Sequence, residues 1–153
     1  MNKNSSANSS AQGGRVFSGK KILVVDDEPD ALVFIATILE DNGAVALRAP
    51  DGGAALAMAK KERPDLITLD LAMPGMNGID VFVALRSDPA LRDIPVCIVT
   101  GRPEMRKLVY ERPATVPPEG YVDKPVDEDT LVRNLRKIFE VTVRVRKQTS
   151  GPT

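Results

Sequence analysis

Five short apolar runs, each leading into a stretch of different periodicity, constrain this chain more than any other feature. Lys21–Val25 (KILVV) is a β-branched run ending in acids, the mark of a strand buried on both faces. Pro29 suits a first helical turn, and Ala31, Leu32, Ile35, Ile38 and Leu39 then recur at helical spacing until Asn42-Gly43 stops the helix. Val45–Ala49 reads as a second strand, and Asp51 to about Lys61 as a second helix with Ala55, Leu56 and Ala59 turned inward. Leu66–Leu69 is a third strand ending at Asp70. After a Met-Pro-Gly-Met-Asn-Gly turn, Ile79–Leu85 is a helix, and Val96–Val99 is a fourth strand ending at Thr100. Gly120–Val122 is a short fifth strand, and Asp127 caps a last helix carrying Leu131, Leu135, Ile138 and Phe139.

Five strand-then-helix units in one compact chain require parallel strands joined by right-handed crossovers. The expected fold is α/β, a doubly wound five-stranded parallel sheet with helices on both faces. Such sheets bind ligands at the carboxyl ends of their strands. The fourth unit is the least regular. Glu104–Glu111 has the makings of a helix, but Pro113, Pro117 and Pro118 forbid its continuation, so a short or irregular fourth helix and a structureless loop are expected.

Residues 1–19 form a polar, Asn-, Ser- and Gly-rich lead that is expected to be a disordered tail, with folded structure beginning near Lys20. The domain proper spans 20–140. Residues 141–153 read as a flexible extension, whose opening Val-Thr-Val-Arg-Val-Arg alternation fits either more of the last helix or an edge strand.

The 153 residues allow one ordinary domain and hence one active centre. Basic and acidic residues number 21 each, so no global charge points to nucleic acid or an anionic membrane, and an anionic ligand must be held by local chemistry. Cys97, the sole cysteine, lies within an apolar run and reads as a small buried hydrophobe. No apolar stretch approaches the roughly 20 residues needed to span a bilayer, so a cytoplasmic protein is expected.

The informative residues stand at the carboxyl ends of the strands. Asp26, Asp27 and Glu28 follow the first, Asp70 the third, Thr100 the fourth and Lys124 the fifth. Carboxylates sharing a cleft repel one another unless a cation sits among them, and carboxylate oxygens with water suit Mg2+. A lysine offers a point charge for a phosphate, and a threonine hydroxyl can donate to a phosphoryl oxygen. Acid, metal, hydroxyl and ammonium together describe an aspartyl-phosphate site. Each residue has a plainer reading: Asp26 and Asp27 as helix caps, Asp70 as a turn opener, Thr100 as an ordinary strand end, and Lys124 as a solvated lysine. Jointly those readings fail, since every group stands at the correct end of a different strand. Pro125 fixes the backbone beside Lys124, and a cis bond there would aim the lysine inward.

The stretches VVDDE, LDLAMPGMNG, VTG and GYVDKP together resemble the signature segments of response regulator receiver domains, over about Lys20 to Glu140. That resemblance implies a flavodoxin-like sheet of strand order 2-1-3-4-5 and a signalling phosphoacceptor rather than a conventional enzyme. It makes Asp70 the phosphoacceptor, Asp27 and Asp70 direct Mg2+ ligands helped by the Ala72 backbone carbonyl, and Asp26 a ligand mostly through water. Thr100 and Lys124 would bind the phosphoryl oxygens. Tyr121 matches the switch aromatic that turns inward as the threonine moves toward the phosphate; its plainer reading is a half-buried strand tyrosine keeping its hydroxyl wet. The implied partners are a sensor histidine kinase or phosphotransfer protein and a downstream protein. No direct nucleic-acid contact and no membrane are expected, and a homodimer is compatible with the pattern.

Two residues flanking the site depart from the common pattern. Ala72 cannot hydrogen-bond an attacking water, and Arg102 could lie across the phosphoryl group, so slow loss of phosphate is expected; Ala72→Asn should speed it, and an unchanged lifetime would contradict this. The proline-bearing stretch Arg112–Pro118 suggests a specialised or mobile output face. No output domain is legible after the receiver, so signalling through partner binding or onward phosphotransfer is expected. The rival reading is a degenerate receiver acting as a phosphate-independent binding or dimerisation module. A dehalogenase-like phosphatase fits less well because Ala72 stands where that family has a second acid. No G-x-G-x-x-G or Walker loop follows any strand, which argues against nucleotide binding.

Overall fold

The computed structural model describes residues 16–149. Its elements run β1 (Lys21–Val25), α1 (Pro29–Asp41), β2 (Val45–Ala49), α2 (Gly52–Glu62), β3 (Leu66–Leu69), α3 (Gly78–Ser87) and β4 (Val96–Thr100). A 3-10 turn (Pro103–Arg106), the one-turn α4 (Lys107–Tyr110), β5 (Gly120–Asp123) and α5 (Glu128–Thr149) complete the order. The five strands form one parallel sheet in the order β2-β1-β3-β4-β5. This is the doubly wound, flavodoxin-like sheet expected from the sequence.

Strand alternation sorts the core into two layers. Ile22, Val24, Leu66, Cys97 and Val99 face α1 and α5, meeting Ile35, Leu39, Leu131 and Leu135. Leu23, Val25, Ile67, Leu69 and Ile98 face the other way, onto Ala55, Ala59, Val81, Phe82 and Leu85 of α2 and α3. Strands β1, β3 and β4 are therefore apolar at every position but Lys21, Thr68 and Thr100, as strands covered on both faces tend to be. Each fully buried Leu or Ile contributes about 1.5–3 kcal/mol. Cys97 belongs to this core, and burial pushes its thiol up to about 12, so it is inert as a nucleophile.

Side-chain caps set three helix starts. Asp51 accepts from the Ala54 N–H at 2.8 Å, Asn77 from Asp80 at 3.0 Å, and Asp127 from Thr130 at 2.9 Å. α1 starts without one: Glu28 occupies its N-cap position and makes no side-chain cap bond.

The structure departs from the sequence reading at both ends. Packing begins at Val16 rather than near Lys20: Phe17 is fully buried, its N–H bonds the Asn42 carbonyl at 2.8 Å, and its ring packs on Phe139 at 5.8 Å. An isolated aromatic in a polar lead gave no periodicity from which to expect this. At the other end the last helix runs on to Thr149, which decides between the two readings of residues 141–149 in favour of helix. The rest of the expected tails, residues 1–15 and 150–153, lies outside the described residues.

The fourth helix is short, as expected, but the proline stretch after it is not loose. Arg86 of α3 is buried and sends its Nε to the Val116 carbonyl at 3.0 Å and Nη2 to Pro117 at 3.0 Å. Its Nη1 bonds the carbonyls of Arg92 and Ile94, and Nη2 pairs with Glu119 at 2.7 Å. Glu119 in turn accepts the Val96 N–H at 2.8 Å. One guanidinium thus ties the carboxyl half of the loop to the start of β4.

Candidate phosphoacceptor site

The sheet's own ladder brings the polar residues together. The Asp26 N–H bonds the Ala49 carbonyl, the Asp70 N–H bonds Val25, and the Lys124 N–H bonds Thr100, each at 3.0–3.2 Å. Parallel strands end on one side, so the first residue past each strand projects into a shared cleft.

There, carboxylate oxygens of Asp26, Asp27 and Asp70 lie within 4.8 Å of one another. Asp26 and Asp70 are almost wholly buried, and Asp27 partly so. Lys124 Nζ sits 2.7 Å from Asp26 Oδ2, 3.4 Å from Asp70 Oδ2 and 3.3 Å from Glu28 Oε1. The Lys124–Pro125 bond is cis, and the lysine points inward.

Local hydrogen bonds orient the acids. Asp26 Oδ1 accepts the Glu28 N–H at 2.9 Å, and Asp70 Oδ1 accepts the Ala72 N–H at 3.1 Å. Gly78 completes this turn: its N–H bonds the Leu71 carbonyl, and a Cβ at that position would clash with the Asp70 carbonyl oxygen. Only glycine lets the start of α3 lie against the acceptor's backbone.

Burial raises the Asp70 carboxyl to about 6, with the Asp26 charge pushing the same way; the Lys124 ammonium and the Ala72 N–H oppose the shift. Burial disfavours the Lys124 charge, but the Asp26 and Asp70 carboxylates outweigh it and hold the ammonium above its ordinary range. The site therefore contains more negative charge than one lysine neutralises. Its donors are all carboxylate oxygens, the chemistry that a hard divalent cation such as Mg2+ takes.

Thr100 is fully buried, and its Oγ1 accepts the Arg102 N–H at 3.1 Å, leaving the hydroxyl proton free to donate elsewhere. The Arg102 guanidinium is exposed and pairs with Glu104 at 2.9 Å, turned to that neighbour rather than lying across the acid cluster. Tyr121, one strand over from Ile98, packs against the core. Its hydroxyl is buried against the Arg106 guanidinium, unlike the wet hydroxyl of the plainer reading. Burial pushes its phenol above the ordinary value, against the pull of Arg106.

The sequence assigned no role to Glu28, Gly78 or Arg106. Glu28 was visible beside the acid pair and Gly78 closes the Met-Pro-Gly-Met-Asn-Gly turn; nothing local marks Arg106, whose contacts with Tyr121 and Asp123 arise only when its turn meets β5.

The fold and this cleft define a class, and comparison with known proteins agrees. A family model described as "Response regulator receiver domain" matches residues 22–136. The chain is 35% identical over 119 residues to protein PilH of Pseudomonas aeruginosa, covering 78% of this chain and 97% of that one. It is 37% identical over 121 residues to chemotaxis protein CheY-3 of Vibrio cholerae, covering 78% and 92%. The solved chemotaxis protein CheY4 of Vibrio cholerae superposes with TM-score 0.69 at 31% identity, over 78% of this chain and 98% of that one. This chain belongs to the receiver domains of two-component response regulators. No described helix is long and apolar enough to cross a membrane.

Proposed function

We propose that this chain accepts a phosphoryl group on Asp70 from the phosphohistidine of a sensor kinase or phosphotransfer protein, and passes the signal to a downstream protein through a change of shape. The observation carrying this reading is the cluster itself: three carboxylates within 4.8 Å, with an ammonium 3.4 Å from the Asp70 carboxylate.

An Asp70 oxygen attacks phosphorus in line, the new O–P bond forms as the P–N bond to the donor imidazole breaks, and the imidazole leaves with the bonding pair. Lys124 moves with the charge that spreads over the transferring oxygens, exchanging its Asp26 and Asp70 contacts for the phosphoryl group. The Thr100 hydroxyl donates to a phosphoryl oxygen. Asp26, Asp27, Asp70 and the Ala72 carbonyl would hold Mg2+, which supplies neutralising charge when bound. Phosphorylation then adds acceptor oxygens that draw Thr100, and that shift fixes Tyr121 in place behind it. This chemistry belongs to a cytoplasmic signalling protein.

Incubation with Mg2+ and acetyl phosphate, read by intact mass, tests the proposal. One added phosphoryl group, absent in Asp70→Asn, is the expected result. A chain that stays unmodified with saturating Mg2+ would shift the reading to a phosphate-independent binding module.

A further inference from the structure

Tyr121 is held by a residue outside the acid cluster. The Arg106 guanidinium lies over the Tyr121 ring, its Cζ 3.4 Å from the centroid. Arg106 Nη2 pairs with Asp123 Oδ1 at 2.6 Å, and the Tyr110 ring stacks with that of Tyr121 at 6.2 Å with an interplanar angle of 30°. Asp123 directly precedes Lys124 and pairs in register with Thr100. The result is a bridge from the 3-10 turn to β5, ending beside the residue that contacts Asp70.

Two buried polar atoms make this arrangement informative. The Tyr121 hydroxyl and Arg106 Nε are both buried, and the guanidinium and the phenol hydroxyl lie against each other. A buried phenol hydroxyl gains further hydrogen bonds by swinging the ring out into water. The cation over the ring face and its anchoring carboxylate oppose that motion. Apolar packing of the ring against the core adds to them.

We propose that Arg106, anchored by Asp123, is a positioning residue that clamps the Tyr121 ring inward before any phosphoryl group arrives, and so biases the chain toward the arrangement that reacts at Asp70. This rests on the phosphoacceptor reading for its consequence, but not for the clamp. Coupling between ring and acceptor works in both directions: a state favoured by phosphorylation, when populated in advance, favours phosphorylation. A guanidinium suits the task because it stacks flat on a ring while its edge still pairs with a carboxylate.

The chain contains two tyrosines, so Tyr110→Phe leaves Tyr121 as a single reporter while keeping the stacked ring. The full chain in that background, made with 3-fluorotyrosine, gives one fluorine resonance. Its shift between H2O and D2O reports solvent access at the ring. With Arg106 present that solvent shift is small. Arg106→Ala is expected to move the resonance and at least double the solvent shift. Arg106→Lys keeps the charge but loses the planar face, and is expected to do the same; Asp123→Asn, which removes only the anchor, gives an intermediate change. In parallel, the rate of modification by acetyl phosphate with Mg2+ falls severalfold in Arg106→Ala and Arg106→Lys.

An unchanged fluorine resonance and solvent shift in both Arg106 variants overturns the clamp. A released ring with an unchanged modification rate overturns the bias toward reaction. Failure of the phosphoacceptor reading looks different: the chain with Arg106 intact takes no phosphoryl group, whatever the fluorine resonance does. Urea midpoints within a few tenths molar of the parent show that the variants are folded.

Discussion

Asp70 is almost fully buried with its carboxyl raised to about 6 from 3.8, because burial and Asp26 together outweigh Lys124 and the Ala72 N–H. A carboxyl raised on folding is best accommodated protonated: its contribution is fully present below pH 3.8 and is lost as pH rises through about 6. In EDTA at pH 7.5, Asp70→Asn should therefore stabilise the chain, by of order 2 kcal/mol, and the gain should shrink toward pH 4. Urea melts of both proteins across that range check it; a gain independent of pH would contradict the burial argument. Gly78 makes a second prediction at this scale. Gly78→Ala places a methyl against the Asp70 and Leu71 backbone, with no flexible side chain to yield, and should cost at least about 2 kcal/mol while reducing modification at Asp70. Full stability in the alanine variant would show that the turn can move without penalty. Asp26, Asp27, Asp70, Thr100 and Lys124 were legible because each follows a recognisable strand. Gly78 was visible only as a turn residue and Arg106 not at all, because the approach of the first to the Asp70 backbone and the place of the second over Tyr121 are set by packing.

Among the elements, the strands were the most legible. β2 and β3 agree with the sequence reading residue for residue, and β1 does too, because apolar runs bounded by acids, Gly or Pro have sharp edges. The first three helices begin and end within one or two residues of expectation and α5 begins at its Asp127 cap, whereas α4 starts three residues later than Glu104 and α5 runs on to Thr149. The segment between β4 and β5 was legible only as irregular. Its prolines exclude regular structure, but they do not say what holds the chain in place of a backbone ladder. The Arg86 side chain does so, with all five of its N–H donors engaged, against four carbonyls and Glu119. Arg86→Met retains the apolar stem but strips those partners and leaves Glu119 without its cation. It should destabilise the chain by about 3–5 kcal/mol and increase hydrogen exchange at Val116–Glu119 before the core opens. A loss below about 1 kcal/mol would mean the loop is held by something else.

Across the whole molecule, the N-terminal segment closes the layer made by α1 and α5. Phe17 is fully buried and packs against Phe139, outside the acid cluster. Phe17→Ala should cost roughly 3–4 kcal/mol and lower the thermal midpoint by about 10 °C, while the fraction of chain modified at Asp70 at 20 °C stays unchanged. A calorimetric scan with intact mass on the same sample separates the two effects. By itself the sequence determined the alternation of strand and helix, the parallel sheet that alternation requires, and the acids, threonine and lysine at the strand ends, because all of these depend on periodicity and position within a local run. Tertiary structure decided the rest: that Phe17 belongs to the core, that Arg86 holds the proline loop, that Glu28 shares Lys124, and that Arg106 covers Tyr121. Each of these is a contact between segments remote in sequence, and its energy exists only once the chain is folded, so no local pattern encodes it.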